Sequence, residues 1–210
     1  MTMVKMKYLL LTFMLFLLSC NNKKEAADLT DKTVIGPASI EIVSPKLLIV
    51  PAKSIGNISL NQNASELESI LGQPDLSDAA MGKAWLTWFS KISDSITGNE
   101  LNIYTTYKPN DPNLTEKIVR QIRITSPEFK TSNNISTSNT LSEIKIAFPN
   151  VAEIGKYDHE TENPVIIYDD VASGIAFEIE NDSCTGIIIH EKDKSVGKEY
   201  ISFHPDMKPM

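Results

Sequence analysis

The sequence predicts an α+β protein: two tandem repeats, each a short capped helical segment followed by a three-stranded antiparallel meander, with strands able to join in one continuous sheet. Three observations predict it. Capped apolar segments recur at Asn63–Gly72 and Thr140–Pro149, an offset of 77 residues. At that offset residues 58–72 and 135–149 share four identities without a gap, Ile-Ser followed by Ser-Glu. Each segment then precedes three β-rich runs, the order expected of a duplicated supersecondary unit. Coincidence within an ordinary α+β chain is the alternative.

The chain begins with Lys5 and Lys7 and an apolar run, Tyr8–Leu18. Eleven residues fall short of the roughly 20 needed to span a bilayer as a helix, but they fit the core of an export signal. The run ends in Leu17-Leu18-Ser19-Cys20. With Leu17 three residues before the cysteine and small Ser19 directly before it, this resembles the bacterial lipobox. That resemblance implies cleavage before Cys20 and acylation of its sulfur, palmitate being one such chain. A plain secretory signal or an uncleaved anchor is the other reading. The polar stretch after Cys20, NNKKEAADLTDKT, lacks apolar periodicity and reads as a tether. Asn21 is not the aspartate associated with inner-membrane retention, so the expected address is the bacterial envelope, lipid-anchored at the outer membrane.

Four segments follow: signal 1–19, lipidated tether 20–38, an N-terminal strand segment with the first repeat at 39–130, and the second repeat with a closing strand and tail at 131–210. Ser39–Val50, interrupted by Pro45, predicts an edge strand or two extended pieces. Asn63 and Glu66 have capping-box spacing, Leu67, Ile70 and Leu71 share a helical face, and Gly72 and Pro74 stop the helix. Ala84–Phe89, Leu101–Tyr107 and Arg120–Thr125 predict strands. In the second half, Thr140 with Glu143 repeats the cap, Pro149 stops the helix, and Val165–Tyr168, Ile175–Glu180 and Gly186–Glu191 are the strands. Lys198–Phe203 predicts a closing strand.

The repeated Ile-Ser with a capped helix, the Leu71-Gly72-Gln73-Pro74 stop and the aromatic strand after it resemble the outer-membrane lipoprotein family SmpA/OmlA (BamE) and the tandem-repeat β-lactamase inhibitory protein fold. The resemblance covers about residues 55–192, and Phe148-Pro149 departs from it in the second half. It implies an extracytoplasmic protein-binding module without enzymatic activity.

Without the signal, 18 basic residues face 27 acidic ones. Such a chain gains nothing from counterion release on nucleic acid, so none is expected as a partner. The expected partners are the membrane, through lipid, and another envelope protein. Cys184 is the only cysteine besides Cys20; it reads as a small buried residue at a strand start. Among residues that carry chemistry, Asp158-His159-Glu160 offers an alternative, a metal-dependent or small-ligand-binding role, against the reading of a solvated loop. Asp169-Asp170 reads as a turn after a strand. His204 lies near the C-terminus, and Lys108–Lys117 is a long hairpin loop of the kind that carries binding function. No catalytic motif or cofactor fingerprint is present, so neither a cofactor nor a bound metal is expected. Trp85 and Trp88, three apart in a strand, point to opposite faces. One is core; the other joins Tyr104 and Arg123 on an open face. Trp88, Tyr104, Arg123 and His190 are therefore the candidate partner-binding residues, being of types enriched at binding hot spots or lying on the same sheet.

Overall fold

β-Branched and aromatic residues alternate through much of this chain, and in the computed structural model they form strands. The structure describes residues 43–93, 96–158, 163–197 and 207–209. Cys20, the expected signal and tether, His159, Glu160, His204 and the expected strand Lys198–Phe203 lie outside them.

The described residues are 48% strand and 12% helix, which overturns the expected α+β class: the protein is mostly β. The two α-helices, α1 (Leu67–Leu71) and α2 (Leu141–Ala147), hold five and seven residues. Helices of one or two turns have little stability of their own, and these cover only part of one sheet face. Nor are the meanders three-stranded. The first comprises β4 (Leu76–Ala80), β5 (Lys83–Ser93), β6 (Ile96–Tyr107) and β7 (Lys117–Ile124). The second comprises β9 (Ala152–Tyr157), β10 (Val165–Asp170), β11 (Ile175–Glu180) and β12 (Ser183–His190). The added strands β4, LSDAA, and β9, AEIGKY, are rich in residues with weak strand preference. Pairing with a strong neighbour, not propensity, makes them strands.

Among the described residues a short strand β13 (Lys208–Pro209) completes a nine-stranded sheet of order β13-β9-β10-β11-β12-β7-β6-β5-β4, antiparallel at every pairing. The two meanders meet at β7 and β12, with Ile122 opposite Ile189 and Arg123 opposite Ile188. A second sheet of four short strands has β1 (Leu48–Val50), β2 (Ser54–Ile55), β3 (Ile58–Ser59) and β8 (Lys130–Thr131) in the order β3-β2-β1-β8. Only β1 of the expected Ser39–Val50 strand is a strand among the described residues, preceded by one 3-10 turn at Pro45–Leu47.

The main core lies between the large sheet's first face and these smaller elements. Ile103, Ile122, Phe177, Ile187 and Ile189 come from the sheet, Ile49, Ile55 and Ile58 from the small sheet, and Leu67 and Ile144 from the helices. Thr140 and Glu143 form a reciprocal capping box at α2. At the first helix the geometry differs. Asn63 accepts from the Ser65 amide and caps a 3-10 turn, Ala64–Glu66, that leads into α1. No helix among the described residues is long and apolar enough to cross a membrane.

Candidate functional site

The register of the large sheet decides which side chains meet on its second face. Trp85 pairs with Tyr104, Tyr104 with Gln121, and Gln121 with His190, so these four form one row across β5, β6, β7 and β12. The next row runs Thr87, Asn102, Arg123 and Ile188. Tyr104, Arg123 and His190 thus share a face, as the sequence expected, but it is not an open surface there. Tyr104 is 3% exposed and His190 is fully buried. Trp88 is on the opposite face. It packs against the main core and donates its indole N–H to the Gly72 carbonyl at 3.1 Å. The tryptophan beside Tyr104 is Trp85. Alternation along β5 placed the two indoles on opposite faces, but with apolar residues on both faces it held no signal for which one the helices cover.

Arg123 is the centre of a buried polar network. Its Nε donates to both Glu178 oxygens at 2.9 and 3.0 Å, and Nη2 donates to Glu178 at 2.7 Å. Nη1 reaches Glu100 and Asn102, both at 2.8 Å, and Asn102 passes the chain on to Thr87 at 3.0 Å. Burial alone would lower the guanidinium pKa, but the Glu178 charge and hydrogen bonds, helped by Glu100, raise it overall. Nearby, burial and then the Glu178 charge push the Tyr157 hydroxyl upward. The network needs a smooth floor, and Gly186 supplies it: a Cβ there would collide with the Glu178 carboxylate.

His190 and Asp169 form a second internal pair. Nε2 lies 3.0 Å from Asp169 Oδ1 and Nδ1 lies 2.8 Å from the Glu191 carbonyl oxygen. The other Asp169 oxygen accepts from the Val196 amide at 3.1 Å and so holds the segment after β12. Asp169 and Asp170 are buried residues of β10, not a turn; Asp170 instead caps the following turn through the Ser173 amide and hydroxyl. Arg120 and Glu191 form a two-pronged ion pair, both contacts at 2.8 Å. These buried cationic and anionic side chains are satisfied by one another inside the fold, an arrangement that fixes structure.

The remaining sequence candidates are placed as follows. Asp158 is bonded to Lys208 at 2.8 Å, and among the described residues no group of three or more His, Cys, Asp or Glu is placed to hold a metal. Cys184 is buried in the main core, and that burial, with the Glu178 charge, pushes its thiol pKa up. The Lys108–Lys117 loop is ordered by Asp111, whose carboxylate takes amide hydrogen bonds from Asn113, Thr115 and Glu116. Those bonds, led by that of Glu116, hold its carboxyl at about 2.

The β4–β5 hairpin is the region the sequence reading missed. All of β4 is exposed, and among the described residues it is the last strand on its side of the sheet. The hairpin turns on Met81 and Gly82, both at positive φ, 48° and 80°. A two-residue hairpin turn of this hand favours Asn or Gly at both positions. Met81 satisfies neither preference, and it is 98% exposed. Beside the hairpin a groove of about 320 Å³ opens on the second face, with Leu76, Asp78, Trp85, Phe89 and Glu100 among its walls. The missed signal is Ala-Met-Gly-Lys itself, a two-residue turn placed directly before an aromatic strand.

No known family model, curated protein or solved structure matches this chain.

Proposed function

We propose that this chain is a lipid-anchored binding module of the bacterial cell envelope, held at the outer membrane through acylated Cys20, that works by engaging another envelope protein. The observation that carries this reading is the β4–β5 hairpin. Leu76 is 59% exposed and Met81 98% exposed beside a partly aromatic groove. A methionine in a left-handed turn position and in water is doubly disfavoured locally, and local rules are broken most often where function requires it. Methionine also adapts its shape to a partner surface. The resemblance of the Ile-Ser, capped-helix and Leu-Gly-Gln-Pro signature to envelope binding modules supports the same reading, as do the export signal and Cys20.

The test places a photo-crosslinking residue at position 81 in cells and examines native membranes. The expected result is a discrete adduct with an envelope protein that disappears when Leu76 is changed to Asp. Absence of any adduct overturns the reading. Anchoring is tested separately. A Cys20→Ala chain should lose membrane fractionation, and one that still matures and sediments with membranes removes the lipid premise.

A further inference from the structure

We propose that the partner docks as an extended strand added antiparallel to β4 and places a basic side chain in the groove beside Asp78. The inference rests on the binding-module reading and specifies the chemistry of its partner. The backbone argument comes first. Ala80 and Lys83 close a two-residue hairpin, and such a closing pair exchanges both of its hydrogen bonds across the turn. Alternation then turns the backbone groups of Ala80, Asp78 and Leu76 toward β5 and those of Ser77 and Ala79 outward. Natural proteins blunt such edges with charged side chains, of which β4 carries Asp78, and above all with lysine, proline or a bulge within the strand. LSDAA has neither residue, and its register with β5 is continuous from Leu76 to Ala80. An open edge with outward N–H and C=O groups is the template for strand addition.

The side chains select the occupant. Leu76 and Asp78 pair with Thr87 and Trp85 and so face the groove, while Ala80, opposite Lys83, faces a hollow that adjoins it. Asp78 makes no hydrogen bond or ion pair among the described residues, and Glu100 stands on the opposite wall of the groove with its Arg123 contact at 2.8 Å. Trp85 and Phe89 supply aromatic walls to the same groove. Acids with an aromatic surface recognise a cationic side chain, through charge and through the ring face. Lys83, at the turn, lines the adjoining hollow with Asp78 and sets a positive limit to the cation's position at that end. A second copy of this chain is the poorer occupant. Antiparallel pairing of two β4 strands centred on Asp78 sets Asp78 against Asp78, an unfavourable like-charge pair, and each chain carries a net charge of −7.

The experiment titrates the full chain with a fluorescent heptapeptide, Ser-Val-Thr-Lys-Thr-Val-Ser, and reads anisotropy together with amide exchange at Ser77 and Ala79. Saturable binding that slows exchange at those two amides is expected. Replacing the peptide lysine by glutamate, or Asp78 by Asn, should weaken binding by about tenfold. Ala79→Pro, which removes one outward N–H at an edge where proline is tolerated, should abolish it while the melting temperature holds. No saturable binding, or binding indifferent to both charge changes, overturns the proposal. So does a dimer, seen by sedimentation, that the peptide fails to dissociate. If crosslinking at position 81 still captures an envelope protein in those cases, the binding-module reading stands and only this docking mode falls.

Discussion

The Glu178 carboxylate accepts three hydrogen bonds from the Arg123 guanidinium across the bare backbone of Gly186, at 2.9, 3.0 and 2.7 Å. Glu178 is fully buried, so neither charge can be stranded cheaply. Arg123→Met alone should destabilise the fold by about 3–5 kcal/mol, because it leaves the Glu178 charge buried without its partner; Glu178→Leu should cost less, because Glu100 still holds Arg123 at 2.8 Å. The double variant should lose much less than the sum. Urea unfolding of the four chains gives the cycle. Single losses below about 1 kcal/mol would mean that solvent reaches the pair.

Gly186→Ala tests the same relationship sterically. Its Cβ would press on Glu178 and lie 3.4 Å from Arg123 Nε. A loss of about 1–3 kcal/mol is expected, as for other overpacked interior positions. Gly72→Ala has open space at its Cβ but a φ of +78°, so a loss there comes from backbone strain and not from a collision. A loss at Gly186→Ala well below about 1 kcal/mol, measured by thermal melting, would refute the steric account.

Much of the sheet was legible because its central strands are strong. Ile175–Glu180 forms with the expected bounds, and the strands at 101–107, 120–125 and 165–168 extend only a few residues beyond or short of them. Local preference was misleading at the edges. Asp78, Ala79 and Ala80 have little intrinsic tendency to extend, and only the turn at Met81-Gly82 commits them to pair with β5. The two weak strands changed the class, since four-stranded meanders and a second small sheet leave the helices a minor share. Which face a helix covers is a tertiary fact, so Trp88 was placed with Tyr104 when Trp85 is its neighbour. His190 followed three isoleucines and read as a surface residue; its partner Asp169 lies 21 residues away, a pairing no local pattern carries.

The Lys108–Lys117 loop should have an acid transition of its own. Asp111 has its carboxyl held at about 2 against an ordinary 3.8. A folded value below the unfolded one stabilises the loop in the carboxylate form. That contribution is complete above about pH 4 and is lost as pH falls through 2. Acid titration followed at the Thr115 and Glu116 amides should show it, and Asp111→Asn should weaken those bonds at every pH. A midpoint near 4 would contradict the hydrogen-bonded geometry.

Cys184 should be chemically silent in the folded chain. Its burial and the Glu178 charge both disfavour the thiolate, and the thiolate is the reactive species. A thiol reagent at pH 8 should label it only as fast as the fold opens, and urea should accelerate the reaction. Prompt labelling of the native protein would show that the site is accessible.

Thr140→Ala should lower stability by about 1 kcal/mol, the usual loss at a helix N-cap, with Thr140→Ser close to the parent. The hydroxyl accepts from the Glu143 amide and the Glu143 carboxylate accepts from the Thr140 amide at 2.8 Å. A neutral alanine variant in thermal melts would mean that α2 is held by Ile144 packing alone.

The pairing of β7 with β12 has a consequence for how the chain is made. β12, the middle of the nine strands among the described residues, ends at His190 and emerges from the ribosome only after the whole first meander. Until it arrives, the first meander carries a raw border along Ile122 and Ile124, well suited to capture by a neighbouring nascent chain. A stop codon between β7 and Ser183 would therefore yield an adhesive fragment and not a smaller working protein.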